Sequence, residues 1–383
     1  MNPFPHTTAI KEICFYLSVF IVLALVACRK VELLFKTPLL LPFGLFVFWS
    51  FLSIFFALDK GNSANDFYTH LLKYIIFYYI LINFFNSRQR LAWLSWIFII
   101  SAVIFSIGGF VYYYFILDNV LTKRFMWDVI QAPTNTIVVV LLFAAILSLH
   151  FLLTDKNLYH KMISLGFLFP LFATTVLTQT RSVFVAMVPA AIVLLIRNKK
   201  ALIISIVVIL LVFFTMPVGK RFEDVSLRKS SSRIQMNFIS LEIIKDYPII
   251  GTGFDAQPYG NILDLKMYNK RIPDAFKARH IPNDPHNLLL GLTARLGIVG
   301  LVLFLYILFV FCRMCWRVTK YGKDNFIRGW GLCVFSLMVM FFVSGFFETH
   351  CGHMTEVIFC IIFAMVTILW RLDTEEALIS EGR

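Results

Sequence analysis

The chain has 383 residues, 59% of them hydrophobic and 15% charged, with a mean hydropathy of +0.80 and a formal net charge of +13. That balance excludes a soluble globular domain. The positive charge calls for no nucleic acid, because much of it sits in short clusters beside apolar runs, where anionic lipid is the partner.

Apolar runs near twenty residues recur without a polar face, and each is long enough to cross a bilayer as a helix. The predicted spans are 13–28, 38–57, 67–85, 91–117, 135–153, 162–179, 182–196, 201–217, 286–311, 329–347 and 354–370. The fold class is an all-α polytopic integral membrane protein of about 11–12 transmembrane helices, one membrane domain over residues 1–383. The stretch before Ile13 contains Pro3, Pro5 and His6 and lacks a charged start, so no cleavable signal peptide is expected. Basic clusters fall in alternate loops: Arg29, Lys30 and Lys36; Arg88 and Arg90; Lys156 and Lys161; Arg197, Lys199 and Lys200; and Arg313, Arg317, Lys320, Lys323 and Arg328. They mark the cytoplasmic side, together with the tail 371–383. The loops 58–66, 118–134, 178–181 and 348–353 then face outward, as does the long segment 218–285.

The seven cysteines lie mostly in or beside spans and form no disulfide framework. Cys312 and Cys315 make a CxxC with no further metal ligands at hand, and His350 to His353 ("HCGH") read as a wetted turn. Segment 218–285 is the only long polar stretch, with eleven Lys and Arg against eight Asp and Glu. Within it, Ser232 is a candidate N-cap for an amphipathic helix with apolar residues at Ile234, Phe238, Leu241 and Ile244, ended by Pro248. The turn "PIIGTGF" follows, and an irregular part from 255 to 285 leads to His286.

Four residues from distant segments carry candidate chemistry. Arg181, in "LTQTRSVFV", sits in a tight hairpin where Gln179, Thr180 and Ser182 add donors suited to a phosphate. Arg233 opens the loop helix, where a guanidinium and the helix dipole would act on one anion. Lys73 lies inside a span near its outer end and needs a partner or a ligand. His286 begins a span directly after the polar loop, with Asp284 and Asn287 beside it to orient the ring, and imidazole is suited to general-base work. Taken singly, each has an ordinary reading: Arg181 as an interfacial anchor, Arg233 as a loop charge, His286 as a helix cap. Together they share the outer side, and three cations around one base suit a lipid-linked pyrophosphate.

The order "LTQTRS", then "SSSRIQMNFISLEIIKDYPIIGTGF", then "DPHNLLLGLTARLGIVGLV" resembles the O-antigen ligase and polymerase superfamily over roughly residues 170–310. The resemblance implies a GT-C-like membrane glycosyltransferase in a bacterial inner membrane. It implies transfer of a glycan from undecaprenyl pyrophosphate to a sugar hydroxyl of lipid A–core on the periplasmic face, in lipopolysaccharide biosynthesis. On these residues His286 would be the base, and Arg181 and Arg233, with Lys73 as a further candidate, would hold the pyrophosphate. Arg279 and His280 would contact glycan or core phosphates, and Thr180, Asp284 and Asn287 would support. A single displacement with one base implies inversion. The reaction needs no ATP or cofactor, and no Asp-rich motif places a divalent metal. Gly297 and Gly300 are expected to let the helix after His286 pack closely against a neighbour.

The alternatives are an O-antigen polymerase, which has the same chemistry with another lipid-linked acceptor, a membrane transporter, and a non-catalytic scaffold of envelope assembly. The charge alternation makes a topological prediction: a reporter fused at Asn261 should signal from the periplasm and one at Lys320 from the cytoplasm. A cytoplasmic signal from Asn261 would reverse the assignment.

Overall fold

Each of the eleven predicted spans coincides with a helix, and among the described residues every regular element is helical. The computed structural model describes residues 8–121, 123–126, 134–215, 227–255, 259–277, 281–283, 285–348 and 353–381, with residue 181 among those described by backbone alone. In chain order the elements are α1 (Thr8–Ala27), α2 (Leu40–Phe55), α3 (Lys60–Asp66), a π-helical turn (Phe67–Leu72) running into α4 (Lys73–Phe84), and α5 (Arg88–Phe110) running into a second π-helical turn (Val111–Ile116). Then come α6 (Thr134–Thr154), α7 (Leu158–Leu177), α8 (Arg181–Leu195), α9 (Lys199–Thr215), α10 (Leu227–Asp246), α11 (Leu265–Arg271), α12 (Leu288–Tyr321), α13 (Asn325–Gly345) and α14 (His353–Glu381). Seven of the helices are long and apolar enough to cross a membrane, and α2 and α8 hold shorter apolar stretches. The polar residues between runs act as caps: Ser87 accepts from the Arg90 N–H at 3.2 Å, and Asp324 from the Ile327 N–H at 2.9 Å.

Contacts between loops define two ends of the bundle. At the basic end Arg88 pairs with Asp324 at 2.5 Å and Arg197 donates to the Thr319 carbonyl at 2.9 Å. At the other end the Leu58 N–H donates to Thr252 O at 3.0 Å and the Phe125 N–H to Leu177 O at 2.9 Å. Beside the large bundle core there is a second, smaller one, built from Met236, Ile239 and Ile243 of α10, Tyr259, Leu265, Tyr268 and Ile272 of the following segment, and Ala294 of α12. The polar insertion therefore carries its own core, and the first turns of α12 belong to it.

That sharing is possible because α12 is broken. Gly297 has φ 69° and ψ −175°, outside helical space. In an unbroken helix the carbonyls of Ala294, Arg295 and Leu296 would accept from N–H groups four residues on. Here Ala294 O takes the Thr252 N–H at 3.0 Å, Arg295 O the Gly253 N–H at 2.9 Å, and Leu296 O the Trp49 indole at 2.9 Å. The Ile298 N–H is returned to Pro248 O at 2.8 Å. Three of the carbonyls and one of the N–H groups that the break frees thus find partners elsewhere in the chain, as a buried backbone requires. The fit leaves no room for side chains: a Cβ on Gly297 would stand 1.9 Å from Ile249 O, and one on Gly251 would stand 2.3 Å from Arg295 O.

Three sequence expectations change. Gly297 and Gly300 do not serve helix–helix packing: Gly297 is the break, and a Cβ on Gly300 would meet Leu296 Cβ across it at 2.3 Å. The loop helix α10 starts at Leu227, so Ser232 is not its N-cap and Arg233 sits in its second turn, away from the helix dipole's concentrated end. Its buried face is Met236, Ile239 and Ile243, while Ile234 and Leu241 of the expected face are exposed. The helix carries two apolar stripes, and periodicity alone does not choose between them.

Replacing Gly297 by Ala forces a conformation that costs about 1–3 kcal/mol before any clash is counted. Thermal unfolding in detergent should show a marked loss of stability for Gly297→Ala. Gly108→Ala, in open space on α5, should be neutral or stabilising. Equal behaviour of the two would mean that the break is not under constraint.

Candidate functional site

One carboxylate organises the end of the bundle opposite the basic clusters. Glu348 lies just past the end of α13, with its side chain 16% exposed. Its Oε2 stands 3.2 Å from Nδ1 of His286, and its Oε1 stands 3.6 Å from a terminal guanidinium nitrogen of Arg233. The three residues come from the turn after α13, the approach to α12 and the second turn of α10. Arg233 and His286 were singled out in the sequence, and the structure brings them together. Glu348 was not singled out, although it is an acidic residue placed just after an apolar span, in a turn read only for its histidines.

The local fold explains the placement of the ring. Asn287 is the N-cap of α12, and its Oδ1 accepts from the Leu290 N–H at 3.0 Å. Asn287 is thus engaged with the helix, and the ring is held by Glu348 through Nδ1. That contact leaves Nε2 as the atom available to a substrate. Since α10 and the first turns of α12 share the second core, Arg233 and His286 ride on one packed unit, while Glu348 is fixed to the bundle.

Arg181 is the first residue of α8, preceded by Gln179 at φ 50° and by Thr180 in extended conformation. Thr180 does not cap the helix with its side chain; its hydroxyl turns to the Thr178 carbonyl at 3.4 Å. The Thr180 side chain thus leaves the first N–H groups of α8 uncapped, an arrangement suited to an anion. The side chain of Arg181 lies outside the description, but its backbone level is fixed. Ser336 Oγ of α13 donates to the Ala190 carbonyl of antiparallel α8 at 2.7 Å, and nine residues from each toward this end bring Arg181 level with Gly345, three residues before Glu348.

A further guanidinium stands at the same hairpin. Arg124 Nε donates to Thr178 O at 2.9 Å, and its neighbour Phe125 pairs through the backbone with Leu177. Tyr113 and Tyr114, in the π-helical turn after α5, hold this strap by donating to the Arg124 and Lys123 carbonyls at 2.8 and 3.0 Å. Arg124 went unremarked in the sequence because nothing in "LTKRF" distinguishes it from an ordinary loop cation.

Lys73 is placed differently from its expectation. It is the first residue of α4, nearly buried, and its ammonium is ion-paired with Glu12 of α1 and set over the Phe15 ring at 5.0 Å. One turn earlier His70 Nδ1 contacts Glu356 of α14 at 2.7 Å. Lys73 thus belongs to a neighbouring charged group rather than to the Glu348 contacts. Arg279, His280 and Asp284 lie outside the described residues, as does most of the "HCGH" turn.

Residues 165–305 match the family described as O-antigen ligase. A stretch of 101 residues is 27% identical to a protein named "Putative polysaccharide ligase" from Rickettsia bellii (strain RML369-C); it covers 26% of this chain and 23% of that one. The chain thus aligns with about a quarter of that relative's length. The resemblance read from the three motifs is shown over the segment that carries them. The matched segment holds Arg181, Arg233 and His286, while Glu348, Arg124 and Lys73 lie outside it.

If Glu348 orients His286, Glu348→Gln should lower the rate of the catalysed step by up to about 10⁴-fold, by analogy with orienting carboxylates elsewhere. Substrate affinity and the melting temperature should change little, and Glu348→Asp should recover part of the rate. A melting temperature that falls in step with the rate would reduce Glu348 to a structural tie.

Proposed function

We propose that the protein is a polysaccharide ligase that moves a glycan from undecaprenyl pyrophosphate to a sugar hydroxyl of lipid A–core, at a periplasmic site of the inner membrane. The observation that carries this reading is the convergence of Arg233 and His286 on Glu348, with the open end of α8 at the same level. A base held in one tautomer and a set of cationic and N–H donors are the two parts that such a transfer needs.

In this reading the acceptor hydroxyl meets Nε2 of His286. The ring takes the proton as the oxygen attacks the anomeric carbon, and the bond from that carbon to the pyrophosphate breaks with its electron pair. One displacement inverts the anomeric centre. Glu348 stabilises the imidazolium that forms, in the role an orienting carboxylate plays beside a catalytic histidine. Arg181, Arg233 and the N–H groups opening α8 receive the charge that develops on the leaving pyrophosphate, with Arg124 within reach of the same hairpin. Donors fixed before the reaction stabilise that charge without reorganising, which is why such groups contribute strongly to rate. The planar fork of arginine matches two phosphate oxygens, so lysine is a poor substitute. Breaking the glycosyl–pyrophosphate bond supplies the driving force, and ATP is not required.

The test is a reconstituted reaction with purified protein, undecaprenyl-pyrophosphate-linked glycan and lipid A–core. His286→Ala should bind donor yet transfer about 10²–10⁴-fold more slowly. Arg181→Lys should fail along with Arg181→Ala, and EDTA should leave the wild-type rate unchanged. A wild-type rate from His286→Ala, or loss of activity with EDTA alone, would overturn the mechanism. In a deletion strain, polymer should vanish from the core while lipid-linked chains accumulate; a single repeat capping the core would identify a polymerase instead.

A further inference from the structure

Helix α1 is the least covered of the candidate spans, with 6% of its apolar window buried. Its polar attachments lie at its two ends, and between them Val22 alone is buried. Near its start, Glu12 pairs with Lys73, Phe15 lies beneath the Lys73 ammonium, and the Tyr16 hydroxyl meets that of Tyr68 at 2.7 Å. Beyond its end the chain is clamped at Leu34, whose N–H donates to Asn83 Oδ1 at 2.8 Å and whose carbonyl accepts from Arg371 at 2.6 Å. Between these fastenings Leu17, Phe20, Ile21, Leu23 and Val26 are exposed. The helix is held by a charged pair, a ring contact and a hydroxyl contact, with little packing.

Lys73 is the opposite case. Its side chain is 5% exposed, and an ammonium at this depth requires a counter-charge. The carboxylate facing it belongs to the least covered of the candidate spans. The neighbouring acid, Glu356 on the well-packed α14, is engaged with His70 instead. A permanent structural pair would gain nothing from placing its anion on so loosely held an element.

We propose that Glu12 stands in for a donor phosphate on Lys73, and that α1 is a side wall which the lipid-linked donor displaces as it enters from the bilayer. This rests on the sequence expectation that Lys73 is a pyrophosphate ligand, a contact beyond those of the Glu348 group, and adds to it a route of entry and a competitor. The exchange keeps Lys73 neutralised throughout, because a phosphate oxygen arrives as the carboxylate leaves. A pyrophosphate carries more charge than one carboxylate and displaces it. The wall moves readily because little apolar surface is uncovered when it swings. The Leu34 clamp keeps the far end in place, so the motion is a pivot.

The experiment uses the full chain in lipid nanodiscs, with exposed Cys14, Cys28 and Cys312, and Cys351 besides, replaced by serine, and spin labels at Phe20→Cys on α1 and Ile97→Cys on α5, both lipid-facing positions. The probe is undecaprenyl pyrophosphate. Saturating probe should shift the label-to-label distances to longer values. Glu12→Gln should produce the shift without probe and should tighten probe binding by about five- to tenfold, the factor regained when a mostly closed state no longer has to be opened. Unchanged distances at saturation, or unchanged or weaker binding by Glu12→Gln, would overturn the proposal. The wild-type distance measurement decides even if that variant fails to fold. Lys73→Gln separates the premise from the inference: normal probe binding would remove Lys73 from the anion site, whereas weakened binding without movement of α1 would leave the site and discard the wall.

Discussion

The architecture depends on how four backbone groups are satisfied where α12 breaks. Opening a helix inside a membrane protein frees groups that lipid cannot satisfy. Here the segment from Pro248 to Gly253 and the Trp49 indole take up three carbonyls and one N–H. The exchange ties three distant parts of the chain together: α2, the end of the polar insertion and α12. It also divides α12 into a short arm that joins the second core and a longer part that runs to Tyr321. His286 stands at the tip of the arm, so its position follows from the insertion's packing rather than from the direction of the membrane helix.

Glu348 matters for geometry more than for stability. Arg233 is nearly half exposed and His286 about 41% exposed, so the two contacts of this carboxylate are screened and contribute little to folding. Their effect is orientational: one carboxylate aligns a ring and a guanidinium that belong to the same packed unit. The Glu12–Lys73 pair differs in kind. Its lysine is nearly buried, where losing one partner costs far more than the pair contributes net. The two charged groups at this end of the bundle thus have different physical characters, one adjustable and aqueous, the other closed and beside lipid.

Much of the fold was legible because apolar periodicity is local. The eleven runs could be found without knowing their neighbours; Arg181 and His286 stood out because polar residues at the edges of greasy segments are costly, and Arg233 because it sits near the start of the loop helix. What escaped was relational. Gly297 looks like a packing glycine until the Pro248–Gly253 loop is known to fill the gap beside it. Glu348 has no local mark, since its meaning comes from residues more than sixty positions earlier. The face of α10 was misread because both of its stripes are apolar and only tertiary contact distinguishes them. Asn287 was taken as a partner of the ring, yet its position at the start of a helix makes it a cap, as Asx residues commonly are.

The second core has a consequence for how the molecule comes to exist. Its members run from Met236 to Ala294, a single stretch of chain, so their contacts can form before the helices that follow are made. Arg233 and His286 are therefore set on a unit that folds early. Glu348 arrives more than sixty residues later, after the long part of α12 and all of α13 have entered the membrane. A chain that stalls or inserts α13 the wrong way round would carry a well-folded insertion with an unoriented ring. Assembly of the site thus waits on the last helices, and the order of synthesis itself delays the grouping of these residues until the bundle is nearly complete.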